Sequence, residues 1–386
     1  MLAANLPSSN YNVNSQSNHS TSLQNTFVFE NITASEIERT IAGLDKRKST
    51  GIDGINGVFV STFSRLLAPV LSQLFNKSII RGEFPKDMKV AKIIPIAKTK
   101  SNLDIVSNYR PIALLSIFSK IFEKIIASRL TNFFTKYNIL YEHQYGFRAH
   151  YSTKLALLES IDEIRKNLES GNLVAGIYLD LSKAFDSLDH GILLSKIYNY
   201  GIRGFVFDWV KSYISNRILI TYTNGVASSP KLTNYGVPQG SVLGPLLFLI
   251  YINDMGSIPN LVANPKLFAD DANIFVPGAN FNALHSNCIT TISSLHEWII
   301  SNRLTLNIDK TCYMIFLPSS KQVIPSNFIL TINNRVISRV TFTKFLGVLI
   351  DDKLVWKNHI DELSLHLRKF IGIFFTKLVS FYPYLF

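Results

Sequence analysis

Apolar positions along the chain recur with two periods. After Thr33-Ala34-Ser35-Glu36, a Thr or Ser cap with an early acid, Ile37, Ile41 and Leu44 follow at helical spacing. A second helix is predicted from about Phe59 to Ile80, with Phe63, Leu66, Leu67, Val70, Leu71 and Leu74 on one face. The same period returns over Leu115 to Tyr137, and Ser152 or Thr153 caps a helix running to about Leu168. Phe205 to Ile214, Asn282 to Ile300 and Trp356 to Phe375 also read as helices. Continuous apolar, β-branched runs mark strands at Val90 to Lys98, Val174 to Leu181 and Ile218 to Tyr222. Leu304 to Ile308, Tyr313 to Phe316 and Phe345 to Ile350 read as extended too. Pro95 predicts a sheet edge for the first of these strands, because proline cannot donate to a ladder. With no internal repeat, the sum is an α+β fold.

Polar residues that interrupt these runs carry the candidate chemistry. In Leu267-Phe268-Ala269-Asp270-Asp271-Ala272-Asn273-Ile274-Phe275, two adjacent acids stand between apolar stretches. Adjacent carboxylates repel, and hard divalent cations take carboxylate oxygens, so a metal-binding hairpin tip is one reading. A surface turn is the other. The buried strand Val174 to Leu181 also ends on an acid, Asp180, which is costly unless paired or bound to a metal. Beyond it Phe185 reads as core, Asp186 as structural, and Asp189 as the cap of a helix beginning near Ile192.

Loops supply cations and glycines. Lys46 to Gly54 is a basic run entering a Gly-containing loop, either a phosphate contact or a solvated turn. Lys98 and Arg110 flank one polar loop, and Pro111 predicts extended chain at Arg110. Gln144 to Arg148 is a further loop. Gly236-Val237-Pro238-Gln239-Gly240-Ser241 precedes the apolar run Val242 to Ile252, where a loop approachable by ligand and a plain junction into a core helix are both open.

Composition narrows the partners. The 386 residues are 47% hydrophobic and 17% charged, enough for a large core, and the net charge of +12 suits a polyanion, nucleic acid first. Cys288 and Cys312 give neither a disulfide framework nor zinc spacing, so a reducing compartment is expected. Residues 1–26 are rich in Asn and Ser and read as a linker or disordered segment without secretory features. The apolar stretch Phe370 to Phe386 is short for a membrane span and reads as the start of a helical element, so no membrane partner is expected.

If Asp180 lies beside the Asp270 hairpin, three carboxylates converge as in-line phosphoryl transfer requires. In that setting the chain resembles the reverse transcriptase domain of non-LTR (LINE-type) retrotransposons, over roughly residues 45–360. Lys48 to Gly54 resembles the family's N-terminal extension, though Thr50 and Ile52 stand where proline is common. Asn108-Tyr109-Arg110-Pro111-Ile112 and Gln144-Tyr145-Gly146-Phe147-Arg148 resemble its finger segments. Tyr178 to Asp189, Gly236 to Leu247, Leu267 to Ala272, Leu306 to Thr311 and Phe345 to Ile350 resemble its successive palm segments.

The resemblance implies a right-hand polymerase: a linker at 1–26, fingers at 27–170, palm at 171–350, and the start of a truncated thumb at 351–386. It implies two Mg²⁺ ions, with Mn²⁺ an alternative, held by Asp180 and Asp270, with Asp271 supporting and the Leu181 carbonyl completing one site. Phe185 would crowd a 2′-hydroxyl, while Pro238, Gln239 and Gly240 approach nucleotide and template. Lys98 and Arg110 would hold the triphosphate, Lys310 would be an acid for the leaving pyrophosphate, and Gly347 would lie near the primer end. RNA template, DNA primer or target and deoxynucleotides are the implied partners, in an intracellular ribonucleoprotein of nucleus or cytoplasm. No endonuclease is recognisable before residue 27 and no RNase H after residue 360. A non-catalytic, nucleic-acid-binding fragment is the alternative. An RNA-dependent RNA polymerase fits less well, since such enzymes have Gly where Ala269 stands and lack a bulky aromatic at Phe185. A group II intron-type maturase fits the Gln144 to Arg148 and Phe345 to Ile350 segments less well.

Overall fold

The computed structural model describes residues 23–98, 102–318 and 323–381, apart from the side chains of Ser107 and 375–381. Most of the predicted linker (1–22), part of the loop between Lys98 and Arg110 (99–101) and the end of the predicted thumb segment (382–386) lie outside the described residues.

In chain order the elements are α1 (Ala34–Ala42), α2 (Gly57–Thr62), α3 (Ser64–Ile80), β1 (Val90–Ala97), β2 (Tyr109–Leu114), α4 (Ile117–Lys136), α5 (Thr153–Glu169) and β3 (Leu173–Asp180). Then come α6 (His190–Asn199), α7 (Gly204–Ile214), β4 (Arg217–Thr223), β5 (Val226–Ala227), β6 (Lys231–Thr233), α8 (Leu243–Ile252), β7 (Lys266–Phe268) and β8 (Asp271–Gly278). The chain continues with α9 (Phe281–Ser301), β9 (Cys312–Phe316), β10 (Thr331–Ile332), β11 (Arg335–Val336), β12 (Ser338–Arg339), β13 (Phe342–Phe345), β14 (Val348–Asp351) and α10 (Lys357–Phe381). The fold is α+β, as the two periods predict. The predicted caps are in place: Thr33 accepts from the Glu36 N–H, Ser152 from Leu155 and Asp189 from Ile192.

Contacts gather these elements into two compact units: 1–147, 181–259 and 297–305 in one, and 148–180, 260–296 and 306–386 in the other. The first unit has a sheet in the order β2-β1-β4-β5, with β6 also on β4. β1 is antiparallel to β2 and parallel to β4, so the edge position predicted from Pro95 is corrected: β1 is internal. The proline is tolerated because pairing with β4 ends at Ile93, leaving Pro95 paired on one side only, opposite Pro111.

The helical core of this unit is aromatic. Phe75 stacks on Phe122 at 4.1 Å between centroids, and Phe122 meets Trp209 edge-on at 4.9 Å. Trp209, fully buried, donates its indole N–H to Ser78 Oγ. The single helix expected over Phe59 to Ile80 is two, divided at Phe63, and its predicted apolar face is also corrected. Ala68, Leu71, Phe75 and Ile79 are buried, while Leu66, Val70 and Leu74 are exposed. The helix carries apolar residues on more than one side, and periodicity alone did not say which side packs. Residues Leu23 to Thr26, at the end of the predicted linker, are held by backbone and Arg203 hydrogen bonds near Gly201.

In the second unit the sheet order is β12-β9-β3-β8-β7. Central β3 is buried along Leu173 to Leu179 and runs antiparallel to both β8 and β9. Its side chains join a core of Ile161, Ile164, Phe275, Met314, Phe316, Phe345 and Ile350. Lys266 of β7 pairs with Glu163 of α5 at 3.1 Å. Phe345 to Ile350, expected as one strand, is a hairpin: Phe345 pairs with Val348 across Leu346 and Gly347, both at positive φ. Two positive-φ residues suit a two-residue hairpin turn, so the glycine serves the turn. Leu304 to Ile308 forms no regular strand. No helix among the described residues is long and apolar enough to cross a membrane.

Phe122 lies at the centre of the aromatic cluster, in contact with Phe75, Phe84 and Trp209. Phe122→Ala should cost about 3–5 kcal/mol, read from urea unfolding. A cost under about 1 kcal/mol would mean that the cluster is not what holds this unit.

Candidate active site

The acids come together in the second unit because β3 and β8 pair in a register that sets Asp180 directly opposite Asp271. Asp270 stands one residue earlier, in the two-residue turn between Phe268 and Asp271. Ala269, the other turn residue, is buried with φ 54°. A side chain is strained in that region, and tight hairpins usually put glycine there.

Asp180 emerges half-buried from an otherwise buried strand. Its N–H donates to Thr311 Oγ1 at 3.4 Å and its carbonyl accepts from the Asn307 N–H at 2.8 Å. Thr311, fully buried, also donates its hydroxyl to Asn307 O, so the Asn307–Thr311 turn is tied to the end of β3. That turn carries Lys310, whose Nζ stands 3.8 Å from Asp180 Oδ2 on an exposed side chain. Thr311 closes the Leu306 to Thr311 palm-like segment, but sequence reasoning gave it no role of its own.

Desolvation of the carboxyl, then the charges of Asp270 and Asp180, push Asp271 up to about 6. The residue is exposed by area, so solvent screening keeps the energetic cost well below what that shift would mean in a buried site. Among the described residues no three acid, His or Cys side chains are already gathered as a coordination shell. The donor set nonetheless fits a hard divalent cation: Asp180, Asp270 and Asp271 are three carboxylates at the end of an apolar strand, and the charges of the first two bear on the third. Gly347 lies elsewhere in this unit, in the β13–β14 turn, with open space where a side chain would project.

The first unit holds the other predicted residues. Leu181 opens its segment one peptide bond after Asp180, with its side chain buried. Phe185 stacks on Phe248 at 4.5 Å and meets Phe147 edge-on at 6.2 Å. The Gly236–Ser241 loop is fastened to it: the Val237 N–H donates to Phe185 O at 2.9 Å and the Gly236 N–H to Leu188 O at 2.8 Å. A Cβ on Gly236 would lie 2.7 Å from Asp186 O, so only glycine allows this approach. From the sheet side, the Ala113 N–H donates to Gln239 O at 2.7 Å, and Gly240, at φ 115°, packs against Ala113 O. From α4, buried Glu123 accepts from the N–H groups of Val242 and Leu243 at the start of α8. Glu123 lies in a stretch that reads only as an amphipathic helix, and sequence reasoning did not single it out.

Lys98 stands one residue past the end of β1, and Arg110 sits on its partner β2. Ile96 is opposite Arg110, and the Lys98 N–H donates to Asn108 O, so side-chain alternation gives Lys98 and Arg110 the same face. Lys98 also acts on Asp186, whose carboxyl is raised by desolvation against the Gln239 hydrogen bond and the charges of Lys183 and Lys98.

Residues 96–368 match the family Reverse transcriptase (RNA-dependent DNA polymerase). The chain belongs to the reverse transcriptase family. The RNA-directed DNA polymerase of the mobile element jockey from Drosophila melanogaster is 27% identical over 343 residues, covering 87% of this chain and 37% of that protein. The probable RNA-directed DNA polymerase of transposon BS from the same species is 28% identical over 353 residues, covering 88% of this chain and 38% of that protein. The chain thus spans well under half the length of these curated relatives. Apo telomerase from Candida tropicalis, truncated from its C-terminal domain, aligns at TM-score 0.48 and 16% identity over 76% of this chain and 60% of that one. Family and relatives bear out the LINE-type resemblance and the right-hand polymerase class.

The raised carboxyl of this reverse transcriptase domain gives a pH test. Asp271 binds its proton more tightly folded, at about 6, than at its ordinary 3.8. The cost of the charged form, desolvation first and repulsion second, is therefore absent below the lower value and fully present above the higher one. In chelator, Asp271→Asn should be more stable than the parent at pH 7, with the difference closing as pH falls toward 4. Melting temperatures across that range check it, and equal temperatures at pH 7 would mean that the charged Asp271 carboxyl carries no such cost.

Proposed function

We propose that this domain is an RNA-dependent DNA polymerase, transferring a deoxynucleotide to a primer 3′-hydroxyl on an RNA template. The observation that carries the reading is the register placing Asp180 opposite Asp271, with Asp270 in the adjoining turn. Asp180 and Asp270 would hold two Mg²⁺ ions, or Mn²⁺ in their place, with Asp271 and the Leu181 carbonyl in support. What the ions supply when bound is charge neutralisation at the attacking and leaving oxygens of phosphoryl transfer.

The chain's own residues do the rest. Lys98 and Arg110, on one face of the β1–β2 hairpin, bind the triphosphate through charge-assisted hydrogen bonds. Phe185, backed by Phe248, fills the space a 2′-hydroxyl would need. Pro238, Gln239 and Gly240 approach nucleotide and template on a loop fastened at three places. Lys310, exposed and near Asp180, donates a proton to the leaving pyrophosphate. Gly347 lies by the primer end. In this reading 27–170 serve as fingers, 171–350 as palm and 351–386 as part of a thumb.

Primer extension on an RNA template with Mg²⁺ and deoxynucleotides tests this. Asp270→Asn should lower the rate at least ~10²- to 10³-fold while leaving template binding intact. Absence of extension by the parent, with template still bound, would leave the nucleic-acid-binding fragment as the reading. Phe185→Ala or Phe185→Val should raise incorporation of ribonucleotides relative to deoxynucleotides by roughly 10- to 100-fold. Unchanged selectivity would remove the sugar-excluding role.

A further inference from the structure

Asp186 has no part in the chemistry assigned above, yet it is tied to it. Its Oδ1 accepts from Gln239 Nε2 at 2.9 Å. The backbones bearing the two side chains are held independently, by Val237 N–H to Phe185 O, by Ala113 N–H to Gln239 O, and by the close approach of Gly236 to Asp186 O. The side-chain bond therefore does not fasten the loop, which is already fastened. What it can fix is the amide. A glutamine amide has two faces of opposite character, Oε1 accepting and Nε2 donating, and rotating it by half a turn exchanges them. An ionised carboxylate only accepts, so it admits one of the two orientations.

Desolvation raises the Asp186 carboxyl, and against it the Gln239 hydrogen bond and the charges of Lys183 and Lys98 favour the charged form, the form that makes this selection. Keeping a partly desolvated carboxylate has a cost that a purely structural contact would avoid with a neutral partner.

We propose that Asp186 is a positioning residue: it locks the Gln239 amide with Nε2 turned away and Oε1 left as an acceptor for a hydrogen-bond donor of the incoming deoxynucleotide. The proposal rests on Gln239 being a nucleotide contact. Asparagine at 186 would keep the shape but pair with either amide orientation, so the lock is lost while the packing stays.

The test measures the Kd of a deoxynucleoside triphosphate for the full chain bound to a dideoxy-terminated primer on an RNA template, where no chemistry follows. Asp186→Asn should weaken the nucleotide about 3- to 10-fold, and Gln239→Met should weaken it by at least as much. In the double variant the Asp186→Asn effect should vanish, since there is no amide left to orient. The Kd for primer–template should stay within about 2-fold of the parent's throughout. A loss that persists undiminished in the Gln239→Met background overturns the proposal, as does an unchanged Kd in Asp186→Asn. An unchanged Kd in Gln239→Met, where the parent binds nucleotide, overturns the reading of Gln239 and the proposal with it. Failure of the parent to bind nucleotide overturns the polymerase reading itself. Should Asp186→Asn lose primer–template binding as well, Asp186 holds the fold and the proposal falls.

Discussion

Placing charge at the end of an apolar strand is the constraint on which the second unit depends. Along β3 every residue from Leu173 to Leu179 is buried, and the strand gains its stability from apolar contact on both sides. At Asp180 that stops, and the register with β8 brings a second carboxylate opposite it. A shift of one residue would turn every side chain of β3 to the other face. The apolar core that fixes register thus also fixes the distance between the acids. Repulsion at the strand end is tolerated because the core is large and the strand end reaches solvent.

A different economy operates in the first unit. The Gly236–Ser241 loop has no core of its own and is held by hydrogen bonds from the Phe185–Leu188 turn, from Ala113 and, through the start of α8, from Glu123. Each of these partners lies on an element whose position is set by apolar packing. The glycines matter where backbones touch: at Gly236 and Gly240 a Cβ would meet a carbonyl oxygen below 3 Å. A loop fixed in this way can present side chains without rearranging, which lowers the entropic cost of binding.

Much of this was legible in the residues themselves. Most of the helices, the α+β class and the caps at Thr33, Ser152 and Asp189 followed from period and composition; the cost of isolated charge singled out Asp180 and the Asp270-Asp271 turn, while their meeting was a condition that only the strand register supplies. The failures have physical causes. The Phe59 to Ile80 run has apolar residues around much of its circumference, so its pattern could not choose the buried face. Pro95 marked a position unpaired on one side, which is less than a whole edge strand. Phe345 to Ile350 carries no polar residue to mark a turn, and the reversal at Leu346-Gly347 shows only in the pairing of Phe345 with Val348 and in the two positive φ angles. Glu123, Thr311 and the Asp186–Gln239 bond depend on partners at least 53 positions away, beyond any local pattern.

Local rules are broken together at one turn. Asp270 and Asp271 are adjacent like charges, and Ala269 beside them holds a left-handed conformation that glycine would adopt with less strain. Adjacent acids alone are common in proteins, whereas a left-handed alanine is not. Their coincidence opposite a third acid, on a hairpin whose remaining residues obey the strand pattern, concentrates the local cost where the chemistry is proposed. An alanine has fewer backbone states open to it than glycine, so the turn that carries Asp270 is more restricted than a glycine turn would be.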